Sequence, residues 1–205
     1  LDVEAYDFHP GSGTLIRASE DTVESRLPPR ARIREQALLE VPHVMVLIDD
    51  PQRTVVEPLF ERQLPRVYDS DLMQDGGHIT GHLVSDESLL RGVADALGQL
   101  ARPEVFASRY DVRDRPVLLY AMGDGNHSFA TARLVWNRLK ERIADPAERA
   151  SHPARYALVE LVNVHDEGLV FEPIHRIVKE TTAEKLLPRM QAFFQEQGSA
   201  CTYHT

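Results

Sequence analysis

Cysteine, lysine and long apolar runs are all scarce in this chain, and each scarcity closes a class of function. Cys201 is the only cysteine. An intramolecular disulfide is therefore excluded, and a single chain cannot build a thiolate zinc site or a paired-cysteine redox motif. A reducing compartment, the cytoplasm, is the expected location. No apolar run approaches the ~20 residues that a membrane helix needs. The acidic start Leu1-Asp2-Val3-Glu4 also lacks the positive and apolar regions of a secretion signal. Lys140, Lys179 and Lys185 are the only lysines, arginine supplying the rest of 23 basic residues against 32 acidic ones. A net charge of -9 argues against general affinity for nucleic acid or anionic membrane, since both need a cationic surface. The chain begins without Met and ends in GSACTYHT, so a piece of a longer protein is expected.

What is present is core material: 42% of the 205 residues are hydrophobic, and neither a repeat nor a low-complexity linker interrupts them. A single domain over residues 1–205 is the simplest division. Ala5 to Ala18 reads as a hairpin around the turn formers His9-Pro10-Gly11-Ser12-Gly13. Pro28-Pro29 then predicts an extended passage. On a strand, Arg30, Arg32 and Arg34 would share one face, either as a basic stripe or as a solvated edge. His43 to Asp50 is a short apolar run of the kind buried on both faces. Ser85 is placed as the cap of a helix carrying Leu89, Val93, Leu97 and Leu100, which Pro103 ends. Ala154 to Val178 reads as a second hairpin around Asp166-Glu167-Gly168, and Thr181 to Glu184 as a capping box before a further helix containing Pro188. The expected class is α+β: a mixed, largely antiparallel sheet with hairpins and about three packed helices.

The densest signal is PVLLYAMGDGNHSFATARLVW, Pro116 to Trp136. Val117 to Met122 is apolar throughout and predicts a central strand. Phe129, Ala132, Trp136, Leu139 and Ile143 then mark one buried face of a helix. Between them Gly123 and Gly125 permit unusual torsions, so that the N–H groups of Asn126, His127 and Ser128 can converge on an anion at the helix N-terminus. Asp-Gly-Asn is also an ordinary capping turn, and that reading stays open. Four clustered polar residues exceed what one cap requires, which favours a site. His78 and His82 lie in a strand-like, glycine-interrupted context unsuited to zinc, and His165 reads as a loop residue.

The string GDGNHSFATA, followed by HPARYALVELVNVHDEGLVFEPIHR and preceded by YDFHPGSGTLIRA, PPRARIRE and PHVMVLIDD, resembles the bacterial and archaeal family termed domain of unknown function 1015. That resemblance covers most of the chain and brings no settled activity. The turn alone is similar to those of sulfiredoxins, ParB-type nucleotidases and free-serine kinases, which hold nucleotide phosphates. This second likeness implies that Gly123, Gly125, Asn126, His127 and Ser128 face phosphate, with Asp124 near magnesium or acting as a base. It further implies Mg-ATP or Mg-ADP as the cofactor and Asp124 and His127 as catalytic residues. Ser128 stands where those turns carry arginine, and Arg176 is the candidate replacement. The expected functions are phosphoryl transfer on a small anionic or phosphorylated ligand, a non-catalytic nucleotide- or anion-binding regulatory module, or a purely structural turn with activity elsewhere.

Overall fold

A computed structural model describes residues 1–170, 172 and 177–203. Along the chain run β1 (Ile16–Ala18), α1 (Leu27–Arg34), β2 (Met45–Ile48), β3 (Arg66–Asp71), β4 (His78–His82), α2 (Glu87–Leu100) and α3 (Pro103–Tyr110). They are followed by β5 (Tyr120–Asp124), α4 (Asn126–Lys140), α5 (Pro146–Ser151), β6 (Glu160–Asn163) and α6 (Ala183–Glu196). Two compact units result, 1–169 and 170–205. The second holds α6, which starts after Thr182 and keeps Pro188 inside it. All other elements belong to the first, and no described helix is long and apolar enough to cross a membrane.

The first unit is built on a four-stranded sheet of order β1-β5-β2-β6. β5 runs parallel to β1, with Ile16 opposite Tyr120 and Ala18 opposite Met122, and antiparallel to β2. β6 runs parallel to β2, from Met45 opposite Glu160 to Ile48 opposite Asn163. The α+β class and the mixed sheet are as the sequence predicts. Among the described residues the parallel share is larger than expected, since β1 and β5 and also β2 and β6 pair in parallel and the first predicted hairpin does not form. Tyr6 meets Ile16 only through an isolated parallel bridge, and the preceding residues turn into a 3-10 helix (Val3–Ala5) capped by the Asp2 carboxylate. At the second predicted hairpin, β6 pairs in parallel with β2. Its turn does form, Asp166 Oδ1 accepting from Gly168 N at 2.8 Å. The return run falls largely on 171 and 173–176, outside the described residues. The hairpin that does form is β3–β4, which makes a separate two-stranded antiparallel sheet.

Six α-helices lie among the described residues, where the sequence predicted about three. Proline accounts for much of the difference. Pro28 and Pro29 sit in the first turn of α1, where a missing N–H has no helical partner to lose, so they open a helix that the sequence reading excluded. Pro103 likewise opens α3 after α2 has ended. α2 starts one residue later than predicted, its cap being Asp86, whose carboxylate accepts from Ser88 N and Leu89 N. Making α1 a helix also redistributes its arginines. Arg30 and Arg34, four apart, share a side, while Arg32 points elsewhere, which replaces the predicted three-residue strand stripe.

The core lies between this sheet and α4. Phe129, Ala132 and Trp136 are buried, Ile143 beyond the helix is buried with them, and Leu139 packs at the edge. They meet Ile16, Val46 and Met122 from the sheet, Val44 just before β2, and Tyr6 from the N-terminal segment. The Tyr6 ring stands edge-on to Phe129, with centroids 4.9 Å apart. Each large apolar side chain so enclosed contributes about 1.5–3 kcal/mol. α1 buries Leu27 and Ala31 and packs along α4. The indole of Trp136 donates to Glu4 Oε1 at 2.9 Å, which ties the N-terminal turn to the same helix.

Candidate functional site

β5 extends to Asp124, two residues past the predicted end of the strand, and α4 begins at Asn126, leaving Gly125 alone to make the corner. Gly125 has φ +85°, and a Cβ there would sit 2.9 Å from the Val44 Cα. Both the torsion and the close approach to the lead-in of β2 require glycine. Gly123 lies flush on β2, where a Cβ would meet Leu47 Cδ1 at 3.2 Å.

No side chain caps α4. Asp124 Oδ1 instead accepts from the Gly125 N–H at 2.6 Å, and the Asp124 side chain stays exposed. The N–H groups of Asn126, His127 and Ser128 have no acceptor among the described residues. They form the positive end of a 15-residue helix.

Asn126 and His127 face inward to another segment. Asn126 is buried, and its Nδ2 donates to the Asp21 carbonyl at 3.1 Å and to Thr22 Oγ1 at 3.2 Å, with the Glu20 carbonyl at 3.4 Å. His127 Nε2 accepts from Val23 N at 3.0 Å, so its unprotonated nitrogen faces the loop. Together they staple residues 20–23, which follow β1, to the start of α4. Sequence reasoning placed both at a ligand; the structure gives their side chains a protein partner first.

Ser128 turns the other way. It lies on the wall of a cavity of about 630 Å³ bounded by α1, the segment 35–43, α4 and residues 153–156. Arg30, Arg34 and His43 share that wall. Arg34 is paired with Glu40 at 2.7 Å and Glu35 with Arg138 at 2.9 Å. Arg30 has no ion pair among the described residues. Asp124, Asn126 and His127 do not line this cavity. Of the arginines expected to approach the turn, Arg30 shares this cavity's wall with Ser128, while Arg176 lies outside the described residues. Nothing in the sequence marked His43, whose only distinction is that it precedes a buried strand.

A second polar group occupies the far end of β2. Asp49 Oδ1 lies 2.7 Å from His165 Nε2, its other oxygen accepts from the Tyr110 hydroxyl, and Arg109 is 3.5 Å away. Burial raises the Asp49 carboxyl, but the hydrogen bonds from Tyr110 and His165 and the charge of Arg109 hold it below the usual range. Burial, reinforced by Asp49, pushes the Tyr110 phenol up to about 12. His165 is therefore fixed to β2 rather than free in its turn. Behind it the buried Asn163 amide donates to the Asp50 carbonyl and to Glu57 Oε1.

An α+β chain with a glycine corner stapled to its neighbouring loop is the class that this geometry defines. The chain belongs to the family described as Protein of unknown function (DUF1015), whose model matches residues 1–204. No curated protein and no solved structure matches it.

Proposed function

We propose that the β5–α4 corner binds a phosphorylated ligand, a nucleotide or a phosphorylated metabolite, and serves phosphoryl transfer. One observation carries the reading: Ser128, one of three residues whose helix N–H groups have no acceptor among the described residues, opens into the same cavity as Arg30, which has no ion pair among them. Arg30 would take the part that arginine plays in related turns, contributing from α1 instead of from the turn. In the transfer an acceptor hydroxyl oxygen bonds to phosphorus, Asp124, exposed at the strand end and outside the cavity wall, takes the hydroxyl proton where the reacting phosphate reaches the corner, and the bond from phosphorus to the leaving phosphate oxygen breaks. His127 holds the loop that borders the site.

Magnesium, when bound, would neutralise phosphate charge. Among the described residues no three His, Cys, Asp or Glu side chains form a metal cluster. The exposed Asp124 carboxylate would be the protein's contribution where it holds the ion instead of accepting the proton, which fits an ion that commonly takes one or two carboxylates with phosphate and water.

A second reading, a regulatory module that binds without turnover, is favoured by the tethering of Asn126 and His127 to residues 20–23. Thermal unfolding with ATP, ADP and phosphorylated metabolites, with and without Mg²⁺, followed by a turnover assay, tests both. A ligand at 100 times its dissociation constant adds about 2.7 kcal/mol. Asp124→Asn should keep that shift and lower turnover about 10²-fold. Binding without turnover in the parent chain selects the module, and no shift with any phosphorylated compound removes the proposal.

A further inference from the structure

The cavity beside Ser128 is chemically lopsided. Ser128, Thr131, Val135 and Leu139 follow one another at spacings of three and four along α4, so they form a single stripe. At about 1.5 Å per residue that stripe runs ~16 Å from the helix start. Polar groups collect at its beginning, where Ser128 lies, and apolar ones follow. Across from it stand Ile33, Leu39 and Val41, whose side chains are exposed at 74%, 78% and 56%. Exposed apolar side chains gathered around one concavity, instead of scattered singly, mark a surface that is covered in use.

The wall's charges point to an anion. Both of its carboxylates are engaged, Glu40 by Arg34 and Glu35 by Arg138. The Thr131 hydroxyl donates to the His127 carbonyl at 2.6 Å. Among the described residues Arg30 is left on this wall without an ion pair, in a chain whose net charge is -9. The side chains of Val135 and Leu139 themselves offer a nucleobase no donor or acceptor for its polar edge, and polar groups left unpaired weigh against binding. An alkyl chain would leave nothing unpaired.

We infer that the phosphorylated ligand of this cavity is a small amphiphile: its phosphate meets Ser128 and Arg30, and an alkyl, acyl or isoprenoid chain lies along Val135 and Leu139 against Ile33 and Leu39. This rests on the phosphate-binding reading above and adds the chemistry of the rest of the molecule. A volume of about 630 Å³ lies within the ordinary range for pockets that enclose such ligands.

Titration calorimetry on the full chain separates the possibilities, with inorganic phosphate, butyl phosphate, octyl phosphate below its micelle concentration, octanol and ADP as probes. Each buried methylene tightens binding by up to about fourfold. Octyl phosphate should therefore bind at least about tenfold more tightly than butyl phosphate. The paired change Ile33→Ser and Leu39→Ser, at exposed positions that leave the core intact, should flatten the chain-length dependence. Arg30→Gln should weaken all the phosphates alike and leave the dependence in place. Equal affinity for butyl and octyl phosphate overturns the inference, as does octanol binding as tightly as octyl phosphate. ADP binding more tightly than octyl phosphate, with sensitivity to Arg30→Gln, also overturns it while sustaining the phosphate site. Failure of every phosphate probe overturns both.

Discussion

Gly125 and Asn126 hold the corner by opposite means, one by lacking a side chain and the other by burying an amide. For Gly125→Ala the φ of +85° and the 2.9 Å approach to the Val44 backbone act together. Strain of this kind costs about 1–3 kcal/mol, and a clash with main chain adds to it. In a domain of this size about 2 kcal/mol lowers the unfolding midpoint by about 4–8 °C. Asn126→Asp is the sharper test of the staple. It turns a donor facing the Glu20 and Asp21 carbonyls into an acceptor, so it should destabilise more than Asn126→Ala, for which about 1–3 kcal/mol is expected. Differential scanning calorimetry of the three variants measures both effects. If Asn126→Asp proved milder than Asn126→Ala, the amide would not be pinning the 20–23 loop. Asn126 also marks where the sequence stops being legible. Its position in a glycine turn was plain, but its burial depends on a loop more than a hundred residues earlier, and no local pattern records that. Asp124 has no such partner beyond its own turn among the described residues, and its side chain stays exposed at the strand end.

Among the elements, the β3–β4 hairpin carries a built-in pH dependence. His78 is hydrogen-bonded to Asp71 and Asp69 across the pair, Asp71 having the larger effect, and both raise the His78 pKa above its ordinary 6.5. A raised folded value means that this contribution is fully present below pH 6.5 and is lost as pH climbs through the folded pKa. Amide exchange across residues 66–82 should be slower at pH 5.5 than the intrinsic pH trend accounts for, and His78→Gln should abolish that excess. An unchanged profile in the variant would mean that the two carboxylates do not report on the imidazole. The apolar face of α4 was readable because a period of 3.6 survives in sequence, and Phe129, Ala132 and Trp136 are buried as that period requires. α1 was not, since proline excludes a helix only from its interior, and the choice between opening one and forbidding one rests with the neighbour it packs on. The basic stripe failed for the same reason. Once Pro28 and Pro29 open a helix, alternate residues no longer share a side, and Arg30 moves to the cavity wall by a period the sequence reading did not apply.

For the whole molecule, carboxylates join segments that are distant along the chain. Asp2 is bonded to Arg155, Glu4 to Lys140 and Trp136, and Asp49 to Tyr110 and His165. At Asp2 and Asp49 burial alone would raise the pKa, but hydrogen bonds and nearby cations outweigh it; at Glu4 the bond from Lys140 leads directly to a lowered value. Depressed folded values give stability that is present above the ordinary carboxyl values of 3.8 and 4.5 and is lost as pH falls through the lower folded ones. Thermal midpoints should thus be level from neutral pH to about pH 5 and fall steeply below about pH 4. The paired change Asp2→Asn and Glu4→Gln should blunt that fall, and an equally steep fall in that variant would remove these links as its cause.

The ladders of the central sheet set a timetable as well as a shape. Ile16 waits for Tyr120, Val46 for Met122 and Met45 for Glu160, so during synthesis no strand of this sheet meets its partner until the chain has passed residue 120. Only the β3–β4 hairpin and individual helices can form earlier. Long-range pairing must overcome loop-closure entropy before any contact repays it, which places refolding in the millisecond-to-second range and not among the microsecond folders. Trp136, the single tryptophan and nearly fully enclosed, reports that step by stopped-flow fluorescence. Nascent chains halted before Tyr120 should leave β1 and β2 exposed, and a chaperone that binds extended apolar segments should hold them there and release them once β5 has emerged.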